Sequence, residues 1–175
     1  EKKKRINPNF IWGLNFSVRR QALIGLGGFH PDNIPRHLQR FQGDGETGLT
    51  KQALLKGVSA VYVPSISVQH EVPPGRLTYE YMKKRAFYQG VADSYADIRG
   101  GATPSQRLTP KTILKKMFRR FESRMIGASP LQTVIRDGYR SGYSFHQLEA
   151  TSKPEVLDWI RRAAYWDYDL PGGVR

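Results

Sequence analysis

The apolar positions change period along the chain. Strand-like alternation lies early, beside short helical segments, and helical spacing dominates late. In "FIWGLNFSVRR", Phe16 and Val18 alternate with polar neighbours and predict an extended segment. "RRQALIGLGGF" predicts a short helix with Leu23, Ile24 and Leu26 on its apolar face, ended by Gly27 and Gly28. "HPDNIPRHLQRFQG" carries turn residues throughout and predicts a loop. Asp44 stands at an N-cap position before a helix expected over 45–56, which Gly57 would stop. "SAVYVP" and "SISVQH" predict two short strands broken at Pro64. A helical pattern then runs from Leu77 to Arg99 with an interruption at Gly90, and "GGATPSQRLTP" is the expected linker.

The last third predicts helices. "PKTILKKMFRRFESRMIG" starts with a proline and places Ile113, Leu114, Met117, Phe118, Phe121 and Met125 on one stripe beside six basic residues. "SPLQTVIRDGYRSGYSFHQLEA" and "SKPEVLDWIRRAAYW" predict two more helices. With strands early and helices late, the expected class is α+β, or part of a larger α/β domain. The expected organisation is a first unit over 1–100, a linker over 101–109 and a helical extension over 110–175.

Composition narrows the partners. The chain has 175 residues and a net charge of +13, which suits one domain in a field that attracts anions such as diphosphates, nucleic acid or acidic lipid. The absence of cysteine excludes disulfides and thiolate metal sites. No apolar run approaches the ~18 residues that a membrane span needs. "EKKKR" reads as a solvated lead-in, and the opening "EKKKRINPNFIW" reads like the middle of something longer.

Three segments stand in a telling order: "GLNFSVRRQALIGLGGF", then "GDGETGLTKQALLKGVSAVYVPSISVQH", then "PPGRLTYEYMKKRAFYQG". Together they resemble the C-terminal half of glycosyltransferase family 2, a family with the GT-A fold, over about residues 10–95. That pattern has a Gly-x-Asn strand, an Arg-bearing helix, a Gly-Gly-Phe turn, an acidic motif at a helix start, and strands ending in Pro and His. The resemblance implies a partial GT-A-type domain of an inverting enzyme. Such an enzyme passes a sugar from a nucleotide-diphosphate donor to a hydroxyl of a glycan or a lipid-linked acceptor. The chemistry needs a base for the acceptor hydroxyl and positive charge on the departing diphosphate, commonly a divalent Mg²⁺ or Mn²⁺.

The resemblance places the base at Glu46, with Asp44 as the other candidate, because the usual acidic pair aligns with Gly45 and Glu46. It implies His70 and Arg76 as contacts to the donor diphosphate, His70 also as a metal ligand, and Asn15 and Trp12 as acceptor contacts. Helix capping is the plain alternative for Asp44 and Glu46, an ordinary strand-end histidine for His70, and a solvated loop arginine for Arg76. No Asp-x-Asp motif stands before the acceptor region, and "DYD" at 167–169 lies on its wrong side. The chain is therefore expected to lack the donor-binding half and to be inactive alone. The 110–126 stripe suggests a peripheral membrane contact, with a cytoplasmic location at the inner face. The rival class is a basic nucleic-acid-binding or membrane-surface module; the dispersed basic residues and the lack of a nucleic-acid motif argue against nucleic acid.

Overall fold

The frame is a pair of long helices whose backbones touch. Helix α3 spans Tyr79–Arg99 and opens on Thr78, whose hydroxyl accepts from Tyr81 N at 3.2 Å. Its partner, Pro130–Ser152, opens on a capping box. Ser129 Oγ accepts from Gln132 N at 3.3 Å, and Gln132 Oε1 accepts from Ser129 N at 3.0 Å. We number this helix α4; α1, Arg20–Gly25, and α2, Gly45–Leu55, precede α3, and α5, Pro154–Ile160, follows. This computed structural model describes residues 3–11, 13, 15–32, 34–105, 129–166 and 169.

Gly90 does not interrupt α3. A side chain there would run into the Tyr139 carbonyl, and one at Gly142 would run into the Phe87 carbonyl, so these glycines let the two helices meet backbone to backbone. Tyr139 and Tyr143 of α4 donate to Asp93 and Asp97 of α3, each at 2.8 Å. Behind them Ser94 Oγ and His146 Nδ1 lie 2.8 Å apart in full burial, and Gln147 Nε2 donates to Ser94 Oγ at 3.0 Å.

The main core joins distant parts of the sequence. Leu38 and Phe41 pack with Tyr95, Ile98, Ala150, Val156, Trp159, Ile160 and Tyr165. The expected 30–43 loop thus contains a 3-10 turn, Arg36–Phe41, formed because it buries Leu38 and Phe41. Each such fully buried side chain contributes about 1.5–3 kcal/mol. A second cluster, Leu26, Leu49 and Ala53 with Phe16, Leu23 and Val58, fastens α1 to α2. Gly27 and Gly28 end α1 at positive φ, and Gly57 follows α2 in the same way, as the sequence predicts.

The class is α+β, mainly helical with a small antiparallel sheet. The basic lead-in is not free. Lys4–Ile6 forms β1, paired with β2, Ala60–Tyr62, in the register Lys4↔Tyr62. "SISVQH" forms no strand, because no neighbouring segment among the described residues pairs with it. The expected 110–126 helix lies outside the described residues. Among the described residues no helix is long and apolar enough to cross a membrane.

His146 makes this helix pair sensitive to acid. Among the described residues its Nε2 has no partner, and burial pushes its pKa from 6.5 down to about 4. The unfolded chain takes up this proton before the folded chain does. The stability is therefore complete above pH 6.5 and is lost as pH falls toward 4, by about 3 kcal/mol in all. Melting curves of the wild type and His146→Leu check this: the wild type should lose more melting temperature than the variant between pH 6.5 and 4.5.

Candidate functional site

The acidic turn sits on a buried imidazole. Gly27 and Gly28 turn the chain out of α1, and Tyr165 N donates to Gly27 O at 2.9 Å. The chain then delivers His30 into the core, with its ring centroid 5.3 Å from that of Tyr95 and 4.8 Å from that of Tyr165. His30 Nδ1 meets Asp44 Oδ1 in a short contact, both groups being buried. The Tyr95 and Tyr165 hydroxyls touch each other. Burial raises both of their pKa values, so they stay neutral hydrogen-bonding groups. Arg99 Nη1 reaches Tyr165 Oη at 3.3 Å and donates to the Ile160 and Arg162 carbonyls at 2.7 Å each. Trp159 Nε1 donates to Phe41 O at 2.7 Å, which fixes the last turn before the acids.

Asp44 therefore corrects one expectation. It occupies the N-cap position of α2, but its side chain caps nothing, because it is turned inward onto His30. Its main-chain carbonyl accepts from Thr47 N at 3.0 Å. Two glycines make the arrangement possible. Gly45 has φ +53, a left-handed turn that starts the helix, and a side chain at Gly48 would displace both His30 and Asp44.

Glu46, in the first turn of α2, is half-buried and faces the opposite way. Its carboxylate lies over Gly13, where a methyl group would stand 2.8 Å from Oε1. A third acid, Asp32, lies against Gly45. The Asp32 carboxyl is raised above the usual value, first by burial and then by the negative charge of Glu46. Asp44 adds to the rise, while its own backbone and the Arg85 guanidinium oppose it. Among the described residues neither Asp32 nor Glu46 makes an ion pair. The turn thus offers one carboxylate locked in the core and two outside it. Sequence reasoning named Asp44 and Glu46 but missed His30, Asp32 and Arg85. The available signal was "FHPD", a histidine and an acid directly after the Gly-Gly-Phe turn.

Asn15 Nδ2 donates to Ile66 O at 3.1 Å, which ties the segment beside Gly13 to the chain after β2. Trp12 lies outside the described residues. His70 and Arg76 are exposed, and the Arg76 guanidinium lies 6.0 Å from the Tyr81 ring centroid. Neither hydrogen-bonds nor ion-pairs with Asp32, Asp44 or Glu46. Among the described residues no three His, Asp or Glu side chains converge to hold a metal ion. Comparison with protein-family models, curated proteins and solved structures gave no match.

The two acids should separate in their effect on stability. Asp44→Ala leaves the buried imidazole without its partner and should cost about 3 kcal/mol. Glu46→Gln at the half-exposed position should stay within about 0.5 kcal/mol of wild type. Urea unfolding followed by circular dichroism checks both values.

Proposed function

We propose that this chain is the acceptor-side portion of an inverting, family 2-like glycosyltransferase with a GT-A-type fold, and that Glu46 is its general base. The observation that carries this reading is the division of labour in the acidic turn. Asp44 is consumed by His30 in the core, whereas half-buried Glu46 holds its carboxylate beside Gly13 and makes no ion pair among the described residues. A base must reach a substrate proton directly, and a buried, paired carboxylate cannot.

In this reading Glu46 accepts the proton of the acceptor hydroxyl as its oxygen bonds to the anomeric carbon of the donor sugar. The bond from that carbon to the diphosphate breaks, and the diphosphate leaves with the electron pair. A divalent ion, Mg²⁺ or Mn²⁺, would neutralise charge on that leaving group in the complete enzyme. Asn15 and Trp12 are acceptor contacts, and His70 and Arg76, exposed on the stretch before α3, meet the donor diphosphate when the other half is present. The acceptor is a glycan or a lipid-linked sugar, and a peripheral contact through 110–126 would hold the enzyme at the inner face of the membrane.

The test is the turnover number of the full-length enzyme with its nucleotide-sugar. Glu46→Gln should lower kcat by about 10²–10⁴-fold, the range for loss of a general base. A variant that keeps more than about a tenth of the rate, with an unchanged melting temperature, removes Glu46 from that role.

A further inference from the structure

Helix α2 begins at the acidic turn and ends on a surface of the opposite character. Its last residues, Leu54 and Leu55, are 45% and 78% exposed. Ile24, near the end of α1, is 45% exposed. Lys56 Nζ donates to Gly25 O at 2.6 Å, which joins the two helix ends and brings their chain neighbours Leu55 and Ile24 to one end of the pair. The inner sides of the two helices already meet in the cluster of Leu26, Leu49 and Ala53, so the exposed side chains are not spare core. Residues four apart on a helix share a side, which puts Lys51 with Leu55 and Arg20 with Ile24. Arg20, Lys51 and Lys56 are exposed, and among the described residues none of them makes an ion pair. No Asp or Glu occurs from Lys2 to Pro31 or from Thr47 to His70. The adjoining sheet extends this field, with Lys4 and Arg5 paired to exposed Tyr62 and Val61.

We propose that this end of the α1–α2 pair docks on an anionic lipid surface. Ile24, Leu54 and Leu55 enter the boundary between headgroups and acyl chains, and Arg20, Lys51 and Lys56 face the phosphates. The contact is separate from the one expected at 110–126, and it does not rest on the transferase reading. Charge complementarity selects the partner. A basic rim without acids, set around a few aliphatic side chains, matches a layer that is anionic at its surface and apolar beneath. Nucleic acid offers the anionic charge, but its bases stack on aromatic side chains, and the exposed apolar groups at these helix ends are aliphatic. A second copy of this chain would bring another charge of +13 against the first.

Sedimentation of the chain with lipid vesicles is the measurement. At low salt it should pellet with vesicles of equal parts phosphatidylserine and phosphatidylcholine, and stay in solution with phosphatidylcholine alone. Lys51→Gln should lower the partition coefficient about fivefold, the worth of one basic residue near such a surface. Leu55→Asp should lower it by about tenfold or more, because it removes an inserted apolar group and adds repulsion. Circular dichroism checks that the fold survives at this exposed position; if Leu55→Asp unfolds the chain, Leu55→Ser decides instead, with an expected loss of about fivefold. Failure to pellet with the anionic vesicles overturns the proposal. So does a folded Leu55 variant that binds as the wild type does. If Phe118→Asp then releases the chain, the contact runs through 110–126 instead. If only Lys51→Gln weakens binding, charge alone explains it and nucleic acid would serve as well.

Discussion

The contact between His30 and Asp44 is the constraint on which the acidic turn depends. Two polar groups in a core are tolerated when each satisfies the other, and each becomes costly when left alone. This requirement fixes the direction of Asp44, and with it the first turn of α2. Because the side chain of Asp44 points inward, Glu46, two residues later and on the other side of the helix start, points to the Gly13 segment. The same sequence with a free Asp44 would offer two equivalent surface acids and no assignment between them.

The pair in turn depends on residues far along the chain. His30 lies between the rings of Tyr95 and Tyr165, and Tyr165 is held through Arg99, Trp159 and the Gly27 carbonyl. Helix α5 and the turn after it therefore form the back of the site. Helices α3 and α4 supply the platform, since their close approach at Gly90 and Gly142 sets where Tyr95 and Arg99 project. The aromatic cluster at the end of the chain reads as packing, and here packing also orients a carboxylate.

Much of this was legible locally. Glycines after α1 and α2, Thr78 before α3 and Ser129 before α4 mark helix ends through contacts only a few residues apart. The acidic turn was also visible as a candidate. What could not be read were contacts set by the fold. Capping is the local default for Asp44, yet a partner 14 residues away takes its side chain. Gly90 reads as a break until a second helix occupies the space it leaves. The pairing of residues 4–6 with β2 could not be read from the basic run alone. "SISVQH" errs in the other direction: its alternation encodes a strand, and pairing needs a neighbour that the pattern alone does not supply. His70 and Arg76 were placed by resemblance; both are exposed, and neither hydrogen-bonds nor ion-pairs with Asp32, Asp44 or Glu46.

A double-mutant cycle on His30→Ala and Asp44→Ala tests this account most directly, because it isolates the interaction from the cost of each deletion. Unfolding free energies of the wild type, the two single variants and the double variant give the coupling. The account predicts a coupling of about 2 kcal/mol or more, with the double variant little worse than either single one. Additive losses, with a coupling below about 0.5 kcal/mol, would contradict it, because the two groups would then be independent and the orientation of the acidic turn would have another cause.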